Sequence, residues 1–250
     1  MNSPGLGVSC AAACGSAYNG GFATGGAAGA GSRCRVASAT DLGYIVVEGP
    51  IGVGKTTLAR RLAASLGGQT LLEAPEDNPF LPRFYDNPRA HALSTQLFFL
   101  LQRAQQMREL VQRDLFAAVR VADFMVDKDR LFAELTLEAD ELDLYLKVNE
   151  QLVRDVPVPD LVIYLQAPVD VLLERVASRG VAYEDGIAPR YLHRLASAYT
   201  RFFYHYDASP LVIVNAAQID LAHGDDDYNM LFEQIRTIRK GRHYLNPLPF

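Results

Sequence analysis

The stretch Tyr44–Ala63, YIVVEGPIGVGKTTLARRLA, restricts the folds open to this chain more than any other segment. It follows the pattern G-x-x-x-x-G-K-[ST] through Gly49, Gly54, Lys55 and Thr56. An apolar run (Ile45, Val46, Val47) precedes it and a helical spacing (Leu58, Leu62) follows, the strand–loop–helix context that a phosphate-binding loop requires. Glycines at 49, 52 and 54 let successive N–H groups point into one concavity, to which the helix N-terminus adds partial positive charge. Lys55 then reaches the outer phosphates of a nucleotide such as ATP, Thr56 holds Mg2+, and Thr57 completes the loop.

Further apolar runs suited to buried parallel strands recur at Thr70–Glu73, Ala117–Ala122, Leu161–Gln166 and Leu211–Val214. Helical patterns separate them, with long ones at Ala90–Arg113 and Leu137–Arg154. With Tyr44–Glu48 this predicts a doubly wound, five-stranded parallel sheet in an α/β domain over residues 41–250, its ligands beyond the C-terminal strand ends. Residues 1–40, which include GSAYNGGFATGGAAGAGS, are too poor in bulky apolar groups to offset ordering entropy and are expected to form a flexible tail.

Other features narrow the partners. The net charge of -5, with lysines and arginines scattered, argues against a nucleic-acid surface. No run approaches the roughly 18 apolar residues of a membrane span. All three cysteines (Cys10, Cys14, Cys34) lie in the first forty residues, so no disulfide framework or metal-ligand spacing is expected, and a reducing, cytoplasmic setting fits. The N-terminus lacks the charged start and compact apolar core of a secretory signal.

Glu73, at the expected end of the second strand, is placed either as a general base for a hydroxyl attacking the γ-phosphate or as a plain strand-end carboxylate. Asp123, ending the third strand, is suited to a Mg2+ shell. Arg175 and Arg179, four residues apart in VDVLLERVASRGVAYEDGI, share a helix face. They suit either a cationic lid over a transferring phosphoryl group or a solvated surface.

The motifs EGPIGVGKTT, EAPEDNPFLPRFY, STQLFFLLQR, LFA (131–133) and LLERVASRG, in that order, make Tyr44–Phe203 resemble the deoxynucleoside kinase family. Its members are P-loop enzymes with a helical lid that phosphorylate deoxynucleosides on the 5′-hydroxyl. The resemblance implies Glu73 as general base, Tyr85 and Glu184 on the sugar 3′-hydroxyl, and Gln96 on the base edge. It also implies Phe132 stacked on the base and Asp129 as acceptor for an exocyclic amine, with ATP and Mg2+ as donor and metal and a homodimer as assembly. Ordinary helix packing is the competing reading for Gln96, Phe98 and Phe132, and Phe98 is assigned to the core.

Two positions depart from the family. Its Asp-Arg-Ser reads Asp123, Phe124, Met125 here, and a lid arginine expected two places after Arg179 is Val181. An apolar ring cannot replace a guanidinium; the nearby cation able to compensate is Lys128. The expectation is therefore a deoxynucleoside kinase favouring purine or other amino-bearing bases. The alternatives are a P-loop kinase of another small acceptor, such as a nucleoside monophosphate, or a nucleotide-binding protein without turnover.

Overall fold

Tyr44–Glu48 forms β1, in which every residue is buried, and β-branched residues on both faces suit a strand covered from both sides. In the computed structural model, residues 42–112, 119–153, 156–217, 219 and 224–245 are described. The expected tail over residues 1–40 and its cysteines lie outside them.

β1 leads through the glycine loop into α1 (Lys55–Leu66), which buries Leu58, Ala59, Leu62 and Ala63. The chain continues through β2 (Gln69–Leu71), α2 (Leu81–Asp86), α3 (Pro88–Gln112) and β3 (Arg120–Ala122). There follow α4 (Lys128–Thr136), α5 (Ala139–Leu152), β4 (Leu161–Gln166), α6 (Val169–Arg179), α7 (Pro189–His205), β5 (Leu211–Asn215), α8 (Asp225–Thr237) and β6 (Arg242–Leu245). Three-residue and five-residue 3-10 turns sit at Pro75–Asp77 and Ala182–Gly186.

All strand pairs are parallel, in the order β2-β3-β1-β4-β5-β6. Six strands therefore replace the five expected. The extra one, Arg242–Leu245, is an edge strand that buries only Leu245, so it carries almost no apolar signal. β2 also ends at Leu71, which leaves Glu73 two residues beyond the strand instead of closing it.

From β1 the chain first lays down β2 at one edge and then inserts β3 between them, before building outward on the other side through β4, β5 and β6. The switch point thus falls at the C-terminal end of β1, where the glycine loop begins. On the α7 side the core is aromatic. Leu192, Leu195, Tyr199 and Phe203 form the buried stripe of α7, and Tyr164 of β4 stacks on Phe203 at 4.2 Å between ring centroids. Among the described residues no helix is long and apolar enough to cross a membrane.

Candidate active site

Two positions of this loop tolerate no side chain. At Gly49 (φ 153°) a Cβ would lie 2.3 Å from the Leu165 carbonyl oxygen, and at Gly52 (φ 83°) 2.8 Å from that of Leu172. At these two positions the backbone itself packs against β4 and α6. At its start the fully buried Glu48 carboxylate accepts from the Gly49 N–H (2.9 Å), the Met125 N–H (2.9 Å) and the Tyr199 hydroxyl (3.0 Å). One side chain thus ties the loop to the segment after β3 and to α7.

The Lys55 ammonium donates to the carbonyls of Gly49 (2.8 Å) and Pro50 (3.2 Å), across the mouth of the loop. Burial lowers its pKa, against the pull of Glu48. The Thr56 hydroxyl donates to Asp123 Oδ2 at 2.5 Å, while Asp123 Oδ1 accepts from the Glu73 N–H at 2.8 Å. Hydroxyl and carboxylate are the hard oxygen donors that Mg2+ takes, and they meet at the start of α1.

These groups open onto a cleft of about 770 Å3. Its floor carries Gly52, Gly54, Lys55, Thr56, Thr57 and Asp123. Its other walls carry Glu73, Tyr85, Gln96 and Phe132, and, from the lid side, Arg175, Arg179 and Glu184. A larger groove of about 1090 Å3 between α4 and α7 contains none of the phosphate-loop residues.

The carboxylate of Glu73 is gripped from two sides. Lys128 Nζ donates to Oε2 at 3.0 Å, and Arg103 of α3 forms a short ion pair with Oε1. Burial works to raise the Glu73 pKa, but the Lys128 ammonium and the Arg103 guanidinium overcome it and hold the group at about 2. Arg103 uses its other terminal nitrogen on Asp129, and Lys128 stands 3.8 Å from Glu48. The result is a chain of alternating charge, Glu48–Lys128–Glu73–Arg103–Asp129, whose three middle members line the wall of the cleft.

Asp129 does not line the cleft as the sequence suggests. The first turn of α4 aims it at Arg103, where it is fully buried, and burial lifts its pKa to about 6 against the opposing pull of that guanidinium.

The remaining expected residues come together. Gly186 packs against Tyr85, where a Cβ would approach the tyrosine Cβ to 3.1 Å, so the turn Ala182–Gly186 brings Glu184 to α2. Arg179 donates to Glu184 Oε1 at 3.2 Å, whereas Glu184 Oε2 is buried without a hydrogen-bond partner among the described residues. Burial raises the Glu184 pKa, opposed by Arg179. Arg175 reaches across to the Ala216 carbonyl at 2.8 Å. Phe132 meets Tyr199 edge to face at 6.1 Å.

Phe98 lies off the cleft, edge-on to Phe80, and Phe99 takes the wall instead, with the Arg103 guanidinium 5.1 Å from its ring centroid. Phe124 is fully buried in the core, away from the cleft. Arg103 and Glu48 carried no role in the sequence reading. The signal for Arg103 was its position seven residues after Gln96, two turns along the same helix face.

Comparison with known proteins places the chain in a family. Residues 45–240 match the family model described as deoxynucleoside kinase. A deoxyguanosine kinase of Bacillus subtilis is 39% identical over 157 residues, covering 62% of this chain and 76% of the relative. A deoxyadenosine kinase of Lactobacillus acidophilus is 30% identical over 190 residues, covering 70% and 86%. In fold, the chain is similar to deoxyadenosine kinase from M. mycoides, a structure described with products dCMP and dCDP bound. The TM-score is 0.69 at 21% identity, over 78% of this chain and all of that one. With a phosphate loop, a clamped carboxylate and a lid facing one cleft, and a family match spanning nearly all of the sheet, this chain is a phosphotransferase of the deoxynucleoside kinase family.

Proposed function

We propose that this enzyme transfers the γ-phosphoryl group of ATP to the 5′-hydroxyl of a deoxynucleoside, with purine and other amino-bearing bases preferred. The observation that carries the reading is the company Glu73 keeps. An ionised carboxylate shares one cleft with the phosphate loop on one side and with Gln96, Tyr85 and Glu184 on the other.

Glu73 accepts the hydroxyl proton. Its low pKa is no obstacle, because phosphoryl transfer passes through a loose transition state in which positioning matters more than base strength. Lys55 leaves the loop carbonyls for the phosphate oxygens, and Arg175 and Arg179 close as the lid that stabilises charge spread over them. Gly49, Gly52, Gly54, Thr56 and Thr57 form the phosphate cradle. Thr56 and Asp123 are the residues that would hold Mg2+, which would supply positive charge to neutralise the transferring phosphates.

At the acceptor end the buried Gln96 offers both donor and acceptor to a base edge. Phe132 supplies the aromatic face, and Tyr85 with the unpartnered Glu184 Oε2 takes the 3′-hydroxyl. Arg103, oriented by Asp129, is the cation nearest the base. Deoxyguanosine and deoxyadenosine kinases among the relatives support the purine preference. A monophosphate acceptor is disfavoured because Arg83 and Arg89, the cations of the EDNPFLPRFYDNPR segment, do not line the cleft, and Arg89 pairs with Glu138 at the surface.

Residues 41–250 carry the activity in this reading, as a homodimer. Leu101 and Val111 of α3 and Leu144 of α5, on helices that pack together, are each about half exposed and supply an apolar face for a second copy. The test is an initial-rate comparison, with Mg2+ and ATP, of all 2′-deoxynucleosides, ribonucleosides and deoxynucleoside monophosphates. The highest kcat/KM is expected for a purine deoxynucleoside, and a monophosphate winning the comparison would sink the proposal.

A further inference from the structure

The position where a guanidinium is missing, Phe124, has been absorbed into the core. Something else must hold the carboxylate of Glu73 in place. Arg103 cannot do so alone, because it is shared with Asp129 and grips only one of the two carboxylate oxygens. A carboxylate with one oxygen free can turn about its terminal torsion, which is broad.

Lys128 supplies the second grip. It is the first residue of α4 and a lysine almost wholly buried, a rare placement unless the charge is paired. Its ammonium lies 3.0 Å from Glu73 Oε2 and 3.8 Å from Glu48 Oε2, within the wall of the cleft. Glu48 is itself fixed by the Gly49 and Met125 N–H groups and by the Tyr199 hydroxyl. An otherwise flexible side chain is thereby anchored at its tip to the rigid end of β1. Glu48 also starts the phosphate loop, so the same contact fixes the distance between that loop and Glu73.

We propose that Lys128 is a positioning residue for phosphoryl transfer: tethered by Glu48, it locks the Glu73 carboxylate against the phosphate loop. The inference rests on the kinase reading above and assigns within it a residue that touches the reaction through Glu73. A positioning defect appears in kcat, because the carboxylate is displaced only where it must meet the attacking hydroxyl. Substrate affinity is set elsewhere, by Gln96, Tyr85 and the loop.

The test is steady-state kinetics of full-length Lys128→Met and Lys128→Arg beside the wild type, with ATP binding measured by calorimetry. Lys128→Met is expected to lose about 10- to 1000-fold in kcat, with KM for the deoxynucleoside and Kd for ATP changed less than about threefold. Lys128→Arg is expected to fall between the two, because charge is kept while tip geometry differs. Full kcat in Lys128→Met, or a loss carried by KM, overturns the proposal, as does an Lys128→Arg no better than Lys128→Met.

If Lys128→Met fails to fold because Glu48 is left without a counter-charge, the pair Glu48→Gln/Lys128→Met removes both charges and is compared with Glu48→Gln alone. A kcat at least about 10-fold lower in the double variant supports the assignment, and equal values refute it. A wild-type protein with no deoxynucleoside kinase activity would instead refute the functional reading itself, which keeps the two failures apart.

Discussion

Replacing Arg103 with methionine is the perturbation whose consequences the charge chain fixes best. Arg103 is 3% exposed and stands between Glu73 and the wholly buried Asp129. Removing it leaves Asp129 inside the protein without its ion-pair partner. Breaking a buried pair from one side costs about 3–5 kcal/mol. For a folded region of this size each kcal/mol lowers Tm by about 2–4 °C, so a fall of roughly 6–20 °C is expected at pH 8. The exposed pair Arg130–Glu134 serves as control, since its side chains are 68% and 49% exposed and such helix pairs are worth less than about 0.5 kcal/mol.

The pH dependence sharpens the test. Asp129 already has its pKa raised by burial to about 6 in the presence of Arg103, and losing the guanidinium raises it further. A raised carboxylate pKa means the native state binds the proton more tightly than the unfolded chain. The group therefore lowers stability as pH rises through its folded pKa. The Tm deficit of Arg103→Met should then be smaller at pH 5.5, where Asp129 is protonated, than at pH 8. Adding Asp129→Asn should restore part of the loss at pH 8. Thermal unfolding followed by circular dichroism measures all three, and a deficit below about 2 °C at pH 8 would refute the view that Arg103 holds the buried Asp129 carboxylate together with the partly buried Glu73.

Further outcomes follow from the same geometry. Lys55→Ala should abolish phosphoryl transfer and keep the far-ultraviolet spectrum, because its ammonium serves phosphates and not the core; a folded variant with retained transfer would remove the loop from the mechanism. Glu73→Gln should lower kcat by roughly 10²-fold or more with little change in KM. The same variant should lose the acid limb of wild-type stability. The Glu73 pKa is depressed to about 2, so its stabilisation is present above its ordinary value near 4.5 and is lost as pH falls towards 2. Acid titration of both proteins decides, and parallel curves would contradict the clamp. Deleting residues 1–38 should leave kcat/KM and Tm nearly unchanged, since that composition cannot extend a core; a fall of several degrees would refute it.

The parts of this site that were legible in the sequence are those where neighbours along the chain determine the chemistry. The glycine loop, Lys55 and Thr56 declare themselves because strand, turn and helix must follow one another for phosphates to be cradled. The Arg175/Arg179 pair could be placed on one helix face by spacing alone, whereas Gln96 was legible only through the family resemblance. Lys128 stood out as a nearby cation following a position where the resembling family carries arginine.

What stayed hidden depends on partners distant in sequence. Arg103 lies on the helix face of Gln96, but its burial is decided by Glu73 and Asp129, 30 residues before it and 26 after it. Asp129 was expected to face the ligand only because the family resemblance implied it, and the pairing with Arg103 across the fold was not visible in the sequence. Phe124 showed only as a missing arginine, whereas in the fold it is a core residue. β6 escaped because an edge strand with exposed Tyr244 and Arg242 lacks the alternation that marks a half-buried strand.

The central claim is that this cleft joins the γ-phosphoryl group of ATP to a 5′-hydroxyl held against Glu73. The measurement that addresses it most directly is the structure of the product. Wild-type protein is incubated with ATP, Mg2+ and deoxyguanosine, and the product is examined by phosphorus-31 nuclear magnetic resonance with proton coupling. The account predicts one deoxynucleoside 5′-monophosphate formed for each ADP released, its phosphorus coupled to the two 5′ protons. Phosphate on the 3′ oxygen, or ADP released without a phosphorylated nucleoside, would contradict it.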